Sequence, residues 1–228
     1  MDADTPFANM GLPPGGPAGR PADGVVASAA QVSVTRRYDR IAAVYDLLNG
    51  PMERGGTRAR RRRIVGRAVG DTLEVGVGTG RNLDLYHAGV RLVATDVAPA
   101  MLERAARRAV AAPVPVRLER ADVQQLPYPD GSFDTVVATC VFCSVPDPVT
   151  GLRELRRVVR PDGRVLLLEH VRPGNAILGR VADVLSLATS RFLGPHLNRR
   201  TEANVRAAGL RIVEVRAEGI WREIVAQA

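Results

Sequence analysis

Lysine is missing from this chain of 228 residues: the 32 side chains that carry a permanent positive charge are all arginines, set against 24 acids for a formal net charge of +8. That surplus favours anionic partners such as nucleic acid, phospholipid head groups or acidic metabolites. Exclusive use of arginine is equally a mark of genomic base composition, which carries no information about partners. Cysteine is scarce as well, and Cys140 and Cys143 are too few for a disulfide scaffold, which points to a reducing, cytoplasmic setting. A zinc site needs four ligands; with no second cysteine pair and only His87, His170 and His196 to draw on, no metal is expected. Aromatic residues make up 4% of the chain, which argues against a nucleic-acid binder built on stacked bases. No stretch approaches the roughly 20 apolar residues of a membrane span, and the first residues are acids, prolines and glycines rather than a basic and apolar leader.

What is present suffices for one globular unit, with 46% hydrophobic residues available for a core. Residues 1–30 are rich in proline and glycine and poor in large apolar groups, the composition of a disordered tail. Residues 31–70 read as a helical cap. Tyr38, Ile41, Ala42, Tyr45 and Leu48 recur at helical spacing until Pro51, Gly55 and Gly56 break the pattern, and a second helix follows over about 57–69. In that second helix Arg58 and Arg60 to Arg63 are expected on the wet side. From residue 71 to the end, short apolar runs alternate with amphipathic helical stretches: Thr72–Val75, Arg91–Thr95, Val114–Leu118, Thr135–Thr139, Val165–Glu169, Arg211–Val215 and Ile220–Val225. The alternation predicts an α/β fold, a doubly wound seven-stranded sheet that is mostly parallel. Only Arg216 to Gly219 separate the final two strands, too few for a crossover helix, so the last strand is expected to be antiparallel.

The segment Leu73-Glu74-Val75-Gly76-Val77-Gly78-Thr79-Gly80 ends the first strand and is expected to open a helix bearing Leu83 and Leu85. Glycines there let the backbone approach a ligand without a Cβ in the way. Dinucleotide sites use the spacing G-x-G-x-x-G, whereas here the third glycine comes one residue early and Arg81 holds the dinucleotide position, so a nicotinamide oxidoreductase is disfavoured. Glu74 ahead of the loop suits a ligand that carries an ammonium group. Asp96 follows the first glycine by 20 residues, where nucleotide folds place the acid that binds ribose hydroxyls; a helix N-cap fits less well, since Pro99 lies three residues on. Asp122, taken alone, reads as a turn former.

Together, Glu74-Val-Gly76-Val-Gly78-Thr-Gly80, Asp96 and Ala121-Asp122-Val123 resemble the motifs of class I methyltransferases that use S-adenosyl-L-methionine (SAM). The resemblance runs over roughly residues 36 to 225 and implies a Rossmann-like fold. It also implies a cofactor site made by Glu74, Gly76, Gly78 and Gly80 around the donor, Asp96 on the ribose, Val97 and Met101 beside adenine, and Asp122 and Val123 on the adenine edge. Cys140, at the end of the fourth strand, is expected to pack with Cys143 as a small apolar group near the methyl donor.

Within that class, Tyr38-Asp-Arg-Ile-Ala-Ala-Val-Tyr45-Asp46 resembles the opening of ubiquinone/menaquinone C-methyltransferases and of bacterial phosphatidylethanolamine N-methyltransferases. Thr139-Cys-Val-Phe-Cys-Ser-Val-Pro and Leu166-Leu-Leu-Glu-His-Val are also similar to a membrane-associated thiol S-methyltransferase group. The shared implication is a small lipophilic or amphipathic substrate. Tyr38 would close over the cofactor, and His170 at the end of the fifth strand and Tyr45 are candidates to accept a proton. A stripe from Ile177 to Phe192 would wall a lipid pocket or, beside Arg58 to Arg63, touch an anionic membrane at the inner surface.

Overall fold

A computed structural model describes residues 29–172 and 199–228, together with Phe7, Met10, Asn175 and Arg180. The helical cap comprises α1 (Ala29–Ile41) and α2 (Tyr45–Met52), then a π-helical turn (Glu53–Thr57) that leads into α3 (Arg58–Val65). The sheet is built from β1 (Asp71–Val75), β2 (Arg91–Asp96), β3 (Val116–Arg120), β4 (Phe133–Thr139), β5 (Val159–His170), β6 (Arg211–Glu218) and β7 (Trp221–Gln227). Between them lie α4 (Pro99–Ala109), α5 (Pro148–Val158) and α6 (Thr201–Ala207).

The seven strands run in the order β3-β2-β1-β4-β5-β7-β6. β7 is antiparallel to both β5 and β6, while β1 to β5 pair in parallel, as the alternation of runs predicts. Both faces are covered, so the central strands carry buried apolar residues on both sides of the pleat. Val136 and Ala138 of β4, with Val165 and Leu167 of β5, face the layer that holds Leu152 and Leu155 of α5. Val137, Leu166 and Leu168 face the layer of Ile64 and Val65 from α3. α5 starts where Asp147 accepts the backbone N–H groups of Val149 and Thr150 and Pro148 takes the first helical position.

A third, smaller cluster joins the cap to the sheet domain. Ala42, Ala98 and Met101 are buried there, with Tyr38, Ile41 and Tyr45 packed against them. α4 has no cap of its own at Ala98; instead Asp39 of α1 accepts the N–H of Ala100 at 3.1 Å.

Four local expectations differ from the structure. The chain turns at residues 42–44, and Pro51 sits inside α2 rather than ending it, where the N–H of Glu53 reaches Asn49 and Gly50; the break falls instead at Gly56, whose φ of +105° is not helical. The glycine loop opens no helix: residues 78–85 form successive turns, pinned by N–H bonds from Gly80 to Val77 and from Leu83 to Gly80. Phe7 and Met10, in the segment read as a tail, are buried in the same core cluster as Leu126 and Tyr128. Of the arginines of α3, Arg58 and Arg62 are exposed as expected, but the helix is not a free wet face. Arg58 pairs with Asp84, Arg60 with Glu218 and Arg63 with Glu218 and Glu223, while Arg61 is buried at 7% exposure. The stripe from Ile177 to Phe192 lies outside the described residues apart from Arg180.

Candidate active site

Strand order reverses between β1 and β4, and a crevice opens beyond the carboxyl ends of strands at such a switch point. A cavity of about 820 Å³, counted to its open mouth, fills that crevice. Its floor is the loop after β1, from Gly76 to Thr79; Thr95, Asp96 and Val97 come from the end of β2, Ala121 and Val123 from the loop after β3, and Thr139, Cys140 and Val141 from the end of β4. The cap closes it from above with Gln31, Val34, Tyr38 and Tyr45.

Gly76 has φ +64°, and a Cβ on it would stand 2.6 Å from the Val141 side chain. Gly80 has φ +83°, and its Cβ would meet Leu83 and the Ala105 backbone; this third glycine serves the close approach of α4 and is not part of the cavity wall. Gly78 lines the cavity with open space beside it, and its N–H donates to Asp96 Oδ2 at 2.8 Å. The other Asp96 oxygen accepts the N–H of Ala98 at 2.9 Å. Burial pushes the Asp96 carboxyl up to about 6 despite these two bonds. Each oxygen retains a further lone pair for hydroxyl groups of a ligand.

Beneath the loop runs a buried polar chain. Asn82 donates to Glu74 Oε1 at 2.8 Å and to Thr139 Oγ1 at 2.9 Å; Tyr86 donates to Glu74 Oε2 at 2.8 Å. Glu74 is therefore not a wall of the cavity. It anchors the loop from below at 1% exposure, and burial pushes its carboxyl up to about 7. Asp122 likewise stays out of the wall. It accepts the N–H of Gln124 at 2.9 Å as a turn residue, while its neighbours Ala121 and Val123 face the cavity.

Cys140 leaves β4 at φ +59°, and its N–H donates to Leu168 at 2.7 Å. The bend sends Val141 to Val145 along the cavity, held from below by Glu169, whose Oε1 accepts the N–H groups of Val141 at 2.8 Å and Phe142 at 3.0 Å. Side chains alternate along a strand, so with Glu169 turned to this loop, His170 points to the other face. Its ring rests edge-on against Trp221 with centroids 6.1 Å apart, it does not line the cavity, and burial holds its basicity below the usual value. Tyr45 does line the cavity, and burial, with the nearby thiols, pushes its phenol up and favours the neutral form. Tyr38 and Ser144 share a hydrogen bond of 2.5 Å across the mouth.

The cap is fastened by Asp46. Its Oδ1 accepts Thr79 at 2.7 Å and Arg81 at 2.9 Å, and its Oδ2 accepts Arg108 at 2.7 Å. Burial alone would raise this carboxyl, but the Thr79 hydroxyl and the two guanidiniums hold it below the usual range. The sequence motifs do not identify Arg61, Thr139, Ser144 or Val145 as wall residues. Arg61 comes from a helix judged by its charge, Thr139 from the last position of β4, and Ser144 and Val145 from a loop whose path depends on the bend at Cys140. Among the described residues, no three His, Cys, Asp or Glu side chains gather as a metal site.

The buried acids give stability a pH dependence. Glu169, buried with Oε2 unpartnered among the described residues, is pushed up to about 7, as Glu74 is, against an ordinary carboxylate near 4.5. Between those values the folded state binds more protons than the unfolded, so stability falls as pH rises through that window and levels above about 7. Thermal melting between pH 5 and 8 should show the decline, and Glu169→Gln should remove its share of the slope.

This fold and this cavity define a Rossmann-like domain of the methyltransferase type. Residues 73–167 match the family described as "Methyltransferase domain". A demethylmenaquinone methyltransferase of Deinococcus radiodurans is 36% identical over 156 residues, covering 65% of this chain and 65% of that one. A phosphatidylethanolamine N-methyltransferase of Cereibacter sphaeroides is 33% identical over 184 residues, 80% of this chain and 89% of that one. Geranyl diphosphate C-methyltransferase of Streptomyces coelicolor, solved with S-adenosyl-L-homocysteine, shares the fold at a TM-score of 0.68 and 13% identity, covering 89% of this chain and 99% of that one. The chain belongs to the class I SAM-dependent methyltransferases, and its cofactor is S-adenosyl-L-methionine.

Proposed function

We propose that this methyltransferase acts on a small lipophilic or amphipathic acceptor, of the quinone-precursor or phospholipid-amine kind, with the cofactor seated on the glycine loop. The observation that carries the acceptor class is the apolar and aromatic enclosure over that loop: Val34, Tyr38 and Tyr45 above, Cys140, Val141 and Val145 beside it. The names of the two curated relatives, one methylating a quinone precursor and one a phospholipid, support the same class.

The residues fit the cofactor. Gly76 leaves space that a Cβ would fill, Asp96 offers free lone pairs to a ribose, and Val97, Met101, Ala121 and Val123 give apolar walls for an adenine. When bound, the cofactor supplies an electrophilic methyl group on a sulfonium. The chain's part is orientation and exclusion of water, and alignment of this kind can contribute on the order of 7–11 kcal/mol. Tyr38 and Ser144 bridge the mouth, and Tyr45 presents a neutral hydroxyl to the acceptor. Among the described residues, neither His170 nor Glu169 lines the cavity.

The test is incubation of the protein with methyl-labelled SAM and host extract, followed by partition into organic solvent, aqueous metabolites and nucleic acid. Label in the organic phase, identified as quinone or phospholipid, is the expected result. Label confined to RNA, DNA or polar metabolites would overturn the acceptor class.

A further inference from the structure

Arg61 is the one arginine of α3 that the structure buries in the cavity wall, beside Gly76, Thr139 and Cys140. Its Nε donates to Glu53 Oε1 at 3.1 Å, and its Nη1 to Thr139 Oγ1 and to Asn82 Oδ1 at 3.2 Å. Nη2 meets only the Cys140 Sγ at 4.0 Å among the described residues, and burial pushes that thiol up to about 12, so the sulfur is a neutral and weak acceptor. A guanidinium has five N–H donors, and one edge of this one remains without a strong partner.

The local charges are unbalanced in the same sense. Glu53 is shared between Arg61 and Arg81, which lies 3.6 Å from it, and Asp46 is shared between Arg81 and Arg108. Three guanidiniums thus face two acids at the glycine-loop end, while Glu74 is bound to Asn82 and Tyr86 and Glu169 to the N–H groups of Val141 and Phe142, the ionisation of both opposed by burial. The end of β2 places the acid Asp96 in the same cavity wall. A ligand that matches these two groups offers hydroxyls to Asp96 and an anion to Arg61. A buried cation with an open edge recognises a carboxylate through charge-assisted, forked hydrogen bonds.

We infer that Arg61 binds the amino-acid carboxylate of the S-adenosyl ligand and selects ligands that carry that group over the bare nucleoside. The inference rests on the cofactor seat proposed above. Thr139, Asn82 and Glu53 hold the guanidinium in place for this role.

The experiment is calorimetric titration of S-adenosylhomocysteine, which has the carboxylate, and 5′-methylthioadenosine, which lacks it, into the wild-type protein, Arg61→Met and Arg61→Lys. Arg61→Met should weaken S-adenosylhomocysteine by roughly 10- to 100-fold, with methylthioadenosine unchanged to within about twofold. Arg61→Lys should recover part of the loss, since an ammonium keeps the charge without the fork. Equal weakening of both ligands would make Arg61 a structural residue, and an unchanged S-adenosylhomocysteine affinity would place its partner elsewhere, for example on the acceptor; either overturns the inference. Should Arg61→Met bind neither ligand, Arg61→Lys decides, through a selective or an equal loss. A wild-type protein that binds neither would remove the cofactor seat itself and this inference with it.

Discussion

Gly76→Val is expected to abolish cofactor binding and methyl transfer while lowering the melting temperature. Two costs coincide at this residue. At φ +64° a β-branched side chain occupies a backbone region that L-residues avoid, and its Cβ would overlap Val141 at 2.6 Å. Strain and overpacking each cost on the order of 1–3 kcal/mol. The chain can relieve the overlap only by moving Val141, which belongs to the loop held by Glu169, or by lifting the glycine loop off β2, where the N–H of Val77 bonds Thr95 at 2.9 Å. Either movement deforms the cavity. Calorimetry should find S-adenosylhomocysteine weakened by more than about 100-fold, equivalent to roughly 2.7 kcal/mol. A variant that binds within tenfold of wild type would show that the loop is not the seat of the ligand.

Asp96→Ala should have the second largest effect. Its carboxylate accepts the N–H groups of Gly78 and Ala98 and faces the cavity, so removal strips two backbone donors of their partner and takes away the acceptor proposed for the ribose. An unpaired buried donor costs about 1–3 kcal/mol, and S-adenosylhomocysteine and methylthioadenosine should weaken together, by about 100-fold or more, because both carry the ribose. That joint loss contrasts with the selective loss expected at Arg61. Since burial pushes the Asp96 carboxyl up to about 6, its acceptor role is fullest above that value, and wild-type affinity should decline as pH falls through it. Equal affinities at pH 5 and pH 8 would count against the role.

The buried apolar runs, the helical spacing of α4 with Met101 and Leu102 inward, and the glycine spacing after β1 were legible because each depends on local period or local backbone freedom. The same local logic misread α3. Five arginines in one helix read as a solvated face, yet Glu53, Asn82 and Thr139 stand in positions to receive Arg61, and the three come from a turn, a loop and a strand end far apart in the chain. His170 and Glu169 show a similar limit. Their neighbouring places at the end of β5 were evident, but which of the two turns toward the cavity loop depends on how the pleat is set against β4 and β7.

The sequence by itself thus determined the doubly wound sheet, its antiparallel last strand and the glycine loop at the switch point, because apolar periodicity and turn chemistry act over a few residues. Only the tertiary structure decided which motif acid faces the cavity and which are held by partners outside its wall. Glu74 and Asp122 spend their oxygens on Asn82, Tyr86 and the Gln124 backbone, while Asp96 keeps an open side. Whether a charged group binds a ligand or holds a scaffold depends on partners brought together across the chain, which no local spacing encodes.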